Sequence, residues 1–209
     1  MNKGTAYIVG AGDFTPRGLL PGKGDILIAA DGGFDALLRF GIRPQLVLGD
    51  MDSITACPRG IARLRFPAQK DLTDLALAIR LARARGYRRF KLYGATGGRL
   101  DHTLASFQTL ADLAREGLFG MIIAPDLVAY GLSRGRMDFP PLKAGTAVSV
   151  FAAGGKAEGV SLKGLAYPLQ DASLSPFVPL GVSNRATGRA FSVSLRQGLV
   201  IITLGSSPL

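Results

Sequence analysis

At 209 residues, 47% hydrophobic and only 19% charged, the chain has the apolar content for a real core and the length for one large or two small domains of a soluble globular protein. It holds no apolar stretch of about eighteen residues, the length a membrane-crossing helix needs. Met1-Asn2-Lys3-Gly4-Thr5 leads straight into a strand-like segment in place of a signal-peptide core, so we expect a cytoplasmic protein with no membrane partner. The formal charge of +10 suits an anionic partner: nucleic acid, an anionic membrane or a small anionic substrate.

Ala6-Tyr7-Ile8-Val9 reads as a buried strand that stops at Gly10-Ala11-Gly12-Asp13. The glycines resemble the start of a dinucleotide fingerprint, but Thr15 stands where a third glycine is wanted. A loop with Pro16, Gly18, Pro21, Gly22 and Gly24 then follows in place of a helix, so a plain turn is the better reading. Ile26-Leu27-Ile28-Ala29-Ala30 is a second strand and ends at Asp31-Gly32-Gly33. Phe34, Leu37, Leu38 and Phe40 then recur at helical spacing up to Gly41 and Pro44. Asp31 at this strand end either caps the helix or joins other acids in a crevice. Beyond a third run, Leu46-Val47-Leu48, the turn Gly49-Asp50-Met51-Asp52-Ser53 sets two carboxylates at a strand end, where open α/β sheets take their ligands. Such hard oxygen donors suit Mg²⁺ held against phosphate, although a solvated turn uses the same residue types. Cys57, the only cysteine, cannot form an internal disulfide and reads as incidental beside Pro58.

Gln69-Lys70-Asp71-Leu72-Thr73-Asp74 opens an amphipathic helix with Leu72, Leu75, Ile79 and Ala82 inward. Asp71 and Asp74 are spaced to share one face of its first turn, either complementing the helix N-terminus or holding metal, with Lys70 beside them for phosphate. Arg80, Arg83, Arg85, Arg88 and Arg89 gather toward its far end, where cations suit the dipole. No aromatic interleaving or nucleic-acid module accompanies them, so we expect no nucleic-acid partner and read the charge as a field for polyphosphate. Phe90-Lys91-Leu92-Tyr93 is the next strand, followed by Gly94-Ala95-Thr96-Gly97-Gly98-Arg99-Leu100-Asp101-His102. A glycine-rich loop running into a helix, here with Leu104, Phe107, Leu110, Ala111 and Ala114 inward, presents free N–H groups to an anion, and Arg99 can grip phosphate with two bonds. Asp101 as a helix cap and His102, the only histidine, as a surface residue are the plainer readings.

After the strand-like Met121-Ile122-Ile123, helical periodicity stops, and a domain boundary is expected near Pro125, dividing the chain into 1–125 and 126–209. Short β-type runs follow at Leu127-Val128-Ala129-Tyr130, Ala147-Val148-Ser149-Val150-Phe151, Ala190-Phe191-Ser192-Val193-Ser194-Leu195 and Leu199-Val200-Ile201-Ile202-Thr203. Gln197-Gly198 between the last two reads as a hairpin turn. The expected architecture is therefore a Rossmann-like parallel-sheet α/β domain followed by a small β-sandwich or barrel.

Asp31-Gly32-Gly33, Gly49-Asp50-Met51-Asp52-Ser53, Lys70-Asp71-Leu72-Thr73-Asp74 and the stretch from Gly94 to His102 resemble, in order and spacing, the signature of thiamin pyrophosphokinases. Ser161-Leu162-Lys163-Gly164-Leu165-Ala166-Tyr167-Pro168-Leu169 and Gly181-Val182-Ser183-Asn184 are similar to that family's thiamin-binding segments. Tyr167 stands where many relatives carry Trp, and Arg185 where an acidic residue often follows. By residue chemistry alone, Tyr167 is equally a packed strand aromatic and Ser183-Asn184 a turn.

The resemblance implies transfer of pyrophosphate from ATP to the hydroxyethyl oxygen of thiamin, with Mg²⁺ as cofactor. It implies metal ligands at Asp50, Asp52, Asp71 and Asp74, and phosphate contacts at Lys70, Arg99, Gly97 and Gly98. Asp31 and Asp101 would orient substrate or metal, and Gly32, Gly33, Thr73 and His102 would complete the nucleotide site. Ser161, Tyr167, Ser183 and Asn184 would receive thiamin, in a homodimer whose vitamin site lies where two chains meet. A Mg²⁺-dependent nucleotide hydrolase would use the same acids with water as acceptor. A basic RNA- or nucleotide-binding module would have no use for so many converging carboxylates.

Overall fold

The computed structural model describes residues 3–52, 54–55, 60–67, 69 and 71–205; Ser53, Cys57, Pro58 and Lys70 lie outside them. The chain divides into two units, Met1–Thr109 with Leu118–Pro125 and Leu110–Gly117 with Asp126–Leu209. No described helix is long and apolar enough to cross a membrane.

In the first unit, the apolar runs form β1 (Thr5–Val9), β2 (Ile26–Ala30), β3 (Leu46–Gly49), β5 (Arg89–Tyr93) and β6 (Phe119–Ile123), with β4 (Ala62–Arg65) between β3 and β5 in sequence. All their pairings are parallel, in the order β6-β5-β1-β2-β3-β4. Continuous burial along β1, β2 and β3 explains why they read as unbroken apolar runs: strands covered on both faces have no polar alternation. β4 is an edge strand with Arg63 and Arg65 exposed, charges of the kind that discourage further pairing, and it therefore carries no hydrophobic signal.

The helices are α1 (Gly33–Leu38), α2 (Asp74–Ala84) and α3 (Leu100–Arg115). Gly33 starts α1 flush against β1: a Cβ there would collide with the Val9 carbonyl. Two sequence expectations are corrected. Thr73 caps α2, its hydroxyl accepting the Ala76 N–H at 3.2 Å, so Asp71 lies before the helix and does not share a turn with Asp74, and Leu72 is 38% exposed. Along α3, Leu104 is 57% exposed, and the buried stripe is Ser106, Leu110, Leu113 and Ala114. Both stripes satisfy a 3.6-residue period; the inward one tolerates Ser106 because its hydroxyl donates to the His102 carbonyl at 2.9 Å.

In the second unit, β7 (Leu127–Phe139), β8 (Ala147–Ala152), β9 (Ala157–Lys163), β10 (Leu169–Leu174), β11 (Asn184–Arg185) and β12 (Phe191–Gly205) pair antiparallel. β12 is the spine. It pairs with β7 along its whole length, with β9 from Ser192 to Gln197 and with β8 from Val200 to Leu204. The expected hairpin at Gln197-Gly198 is absent, because both runs belong to this one strand. The register passes from Leu195↔Gly135 to Leu199↔Ser133, leaving Arg196, Gln197 and Gly198 opposite Arg134 alone. Gly198 (φ 93°), Arg134 (φ 52°) and Gly135 (φ 102°) make this a bulge, where β12 exchanges β9 for β8. Val148, Val150, Val160, Leu162, Val193, Val200 and Ile202 form the core behind it.

Candidate active site

From β1 the sheet runs outward through β2, β3 and β4, and on the other side through β5 and β6. The order thus reverses between β1 and β5, and the crevice beyond the carboxyl ends of strands at such a reversal is where open α/β sheets bind ligands. A cavity of about 380 Å³ occupies that place. Gly10, Ala11 and Gly12 line it after β1, Ala30 and Asp31 at the end of β2, and Gly94 and Ala95 after β5. Thr73, Asp74 and Leu75 at the start of α2, and Gly97, Gly98, Arg99, His102 and Ser106 around the start of α3, complete the wall.

The carboxylates of Asp31, Asp50 and Asp52 offer oxygens within 4.8 Å of one another. Backbone geometry produces this convergence. Asp31 (φ 47°) and Met51 (φ 69°) hold left-handed conformations that side chains seldom adopt, and such strain persists where the surroundings enforce it. The Asp31 N–H donates to the Leu48 carbonyl at 2.7 Å, and the Asp52 N–H to Asp50 Oδ1 at 3.2 Å. Asp31 Oδ1 is buried and has no hydrogen-bond partner among the described residues. A buried unsatisfied polar atom costs about 1–3 kcal/mol, more when charged, and neighbouring carboxylates repel it further. A divalent cation removes both penalties, and three hard oxygen donors with no sulfur or imidazole suit Mg²⁺. Asp31 is also the trio's member on the cavity wall.

Other acids named from the sequence divide. Asp74 stands in the first turn of α2 and lines the cavity, whereas exposed Asp71 belongs neither to the cavity wall nor to the trio among the described residues. Arg99 and Asp101 face each other as a two-bond fork, Nη2 to Oδ2 at 2.6 Å and Nε to Oδ1 at 3.1 Å, both well exposed. The hydrogen bond from Arg99 holds the Asp101 carboxyl below the usual range. Asp101 Oδ1 also accepts the His102 N–H at 2.9 Å. Gly97 (φ 82°) and Gly98 (φ 63°) hold left-handed backbones that favour glycine, and a Cβ on Gly97 would also run into the Asp13 carboxylate.

The remaining named residues lie in the second unit. Asn184 is buried, and its amide is spent on main chain: Oδ1 accepts Tyr167 N–H at 2.9 Å and Arg185 N–H at 2.8 Å, while Nδ2 donates to the Tyr167 carbonyl at 2.6 Å. Exposed Ser183 has φ 62°, and its N–H donates to Ser149 Oγ at 3.1 Å. Ser161 Oγ accepts the Asp171 N–H at 3.1 Å. Tyr167 is not a packed core aromatic; 64% of its surface is exposed.

Residues 20–119 match the thiamin pyrophosphokinase catalytic domain, and residues 136–200 match the thiamin pyrophosphokinase vitamin B1 binding domain. The chain belongs to the thiamin pyrophosphokinase family. A thiamine pyrophosphokinase of Bacillus subtilis is 28% identical over 210 residues, spanning 95% of this chain and 97% of the relative. The crystal structure of thiamin pyrophosphokinase from Geobacillus thermodenitrificans superposes with a TM-score of 0.83 at 26% identity, covering 98% of each chain. Thiamin pyrophosphokinase from Candida albicans shares the fold, with a TM-score of 0.83 at 16% identity over 99% of this chain and 90% of that one.

Parts of this site escape a reading of the sequence. The loop after β1 is more than a turn: Gly12 N–H donates to the Gly94 carbonyl at 2.9 Å and Asp13 N–H to the Thr96 carbonyl at 2.7 Å, zipping it to the loop after β5. A Cβ on Gly12 would strike the Thr96 carbonyl, and one on Gly94 (φ 55°) the Gly10 carbonyl. The Gly-Ala-Gly spacing was the available signal, and its partner lay some eighty residues away. Ser106 carried no signal, being one serine within a helix.

Proposed function

We propose that the chain transfers pyrophosphate from ATP to the hydroxyethyl oxygen of thiamin, giving thiamin diphosphate and AMP. The observation that supports this most directly is the buried Asp31 oxygen, unpartnered among the described residues, which belongs both to the acid trio and to the crevice at the sheet's reversal. In this reading the first unit is a Rossmann-like nucleotide domain and the second receives the vitamin. Asp31, Asp50 and Asp52 would hold Mg²⁺, with Asp74 on the cavity wall at the start of α2. Bound Mg²⁺ neutralises polyphosphate charge.

The thiamin hydroxyl oxygen forms a bond to the β-phosphorus as the bond from that phosphorus to the α–β bridging oxygen breaks, and AMP leaves with the bridging oxygen. The hydroxyl proton passes to a carboxylate outside the metal trio, for which Asp101 is the candidate. Glycine N–H groups of the loop before α3, with Arg99 and Lys70, hold the phosphates in line; such positioning dominates phosphoryl chemistry. Tyr167, Ser183 and Ser161 lie on the thiamin side, in a homodimer.

Incubating the protein with ATP, Mg²⁺ and thiamin, then oxidising thiamin diphosphate to its fluorescent product, tests the reading. Thiamin-dependent release of AMP is expected. Phosphate release that ignores thiamin would identify a nucleotide hydrolase instead.

A further inference from the structure

We propose that Asn184 is a positioning residue: it fixes the backbone of Tyr167 so that the ring is presented to thiamin, and is not itself a ligand of the vitamin. The proposal rests on the thiamin pyrophosphokinase reading above. A carboxamide offers two N–H donors and an oxygen with two lone pairs. At Asn184 both lone pairs and one donor are committed to main chain, at 2.9, 2.8 and 2.6 Å. The residue is only 4% exposed, so little capacity and almost no surface remain for a ligand.

Tyr167 receives what Asn184 gives. Its N–H and its carbonyl are both held by one rigid planar amide, and Pro168 confines its backbone to extended conformations. The preceding residues are laid along the same support: Ala166 N–H donates to the Arg185 carbonyl at 2.9 Å, Leu165 bridges to Ala186, and Thr187 Oγ1 donates to the Gly164 carbonyl at 2.9 Å. Leu165 is buried as an anchor while Tyr167, two residues on, is 64% exposed. A segment tied down at every residue and ending in an open aromatic face is built as a stacking platform, and the flat rings of thiamin are the matching surface.

The test is a double-mutant cycle read in the KM for thiamin and for ATP, with thermal unfolding recorded for each variant. Tyr167→Ala and Asn184→Ala should each raise the thiamin KM, on the order of ten-fold, and leave the ATP KM nearly unchanged. In the Tyr167→Ala background, Asn184→Ala should add less than about two-fold, because its effect passes through a ring no longer present. Asn184→Asp, equal in shape, keeps the acceptor and sets a carboxylate against the Tyr167 carbonyl; it should reproduce the thiamin defect if the alanine variant does not fold. Equal costs of Asn184→Ala in both backgrounds would make Asn184 a direct ligand and overturn the proposal. Lowered thermal stability with an unchanged thiamin KM would overturn it equally. If the unaltered protein releases no AMP in response to thiamin, the functional reading fails and takes this proposal with it.

Discussion

The backbone N–H and the hydroxyl of Thr55 both donate to one carboxylate oxygen of Asp35, at 2.9 and 2.7 Å. Asp35 lies in α1, which begins just after Asp31, and Thr55 lies just beyond Asp50 and Asp52. The acid turn is therefore held at its end by this pair, as it is held at its start by Asp31 N–H on the Leu48 carbonyl. Thr55→Val keeps the shape and the N–H but loses the hydroxyl. We expect a stability loss of about 1 kcal/mol in urea and a rise in the Mg²⁺ concentration for half-maximal activity, with the thiamin KM unmoved. Titration with Mn²⁺ should show the same weakening directly; unaltered Mn²⁺ affinity would mean that the turn holds its shape without the hydroxyl.

Asp31→Asn separates the cost of the acid trio from its use. Removing one of three close carboxylates relieves repulsion, so the metal-free variant should melt at the same temperature as the parent or higher. Mg²⁺ should raise the melting temperature of the parent and leave the variant where it was. Turnover should fall by about a hundred-fold or more, the scale of lost charge stabilisation in catalytic sites. Equal stabilisation of both proteins by Mg²⁺ would place the cation elsewhere.

Gly94→Ala tests the zipped loops. A Cβ would strike the Gly10 carbonyl from a backbone at φ 55°. Overpacking and the left-handed backbone together should cost about 2–5 kcal/mol in chemical denaturation. Gly117→Ala, at φ 68° with open space around the position, carries the backbone cost alone and should lose only about 1–2 kcal/mol. Equal losses would show that the loop contact is not tight.

How far the sequence carries can be read from these same elements. β1, β2 and β3 were legible because burial on both faces demands unbroken apolar runs, and the acids at the ends of β2 and β3 followed from them. β4 was not, because an exposed edge strand has no apolar face to write. Gln197-Gly198 has turn composition, yet pairing with β7 continues on both sides of it; local chemistry marks the irregularity, and only the partner strands decide between turn and bulge. Asp71 and Asp74 had helical spacing, but the cap at Thr73 starts the helix between them. Asn184 could be read as a polar group in a binding segment; that its amide is consumed by Tyr167 depends on a contact across seventeen residues.

Arg99 and Asp101 provide the last prediction. Each is exposed, and each now satisfies the other through a two-bond fork. Because the folded Asp101 carboxyl is held below its ordinary range, the fork is complete above the unfolded carboxylate range and is lost only as pH falls through the lower, folded value. Between about pH 6 and 8 it is therefore constant, and any change of ATP affinity in that window comes from other groups. A phosphate group can take the place of the carboxylate on the same guanidinium edge, so Arg99→Lys, which keeps charge and loses the fork, should raise the ATP KM by about ten-fold with a smaller effect on thiamin. Asp101→Asn distinguishes two roles for the carboxylate. If Asp101 only holds Arg99, then kcat should change little, and the double variant with Arg99→Lys should be no worse than Arg99→Lys alone. If Asp101 takes the hydroxyl proton, Asp101→Asn should lower kcat by about a hundred-fold or more at an ATP KM close to that of the parent. Steady-state kinetics with each substrate varied decide between them, and an unchanged ATP KM in Arg99→Lys would leave the fork as a surface ion pair.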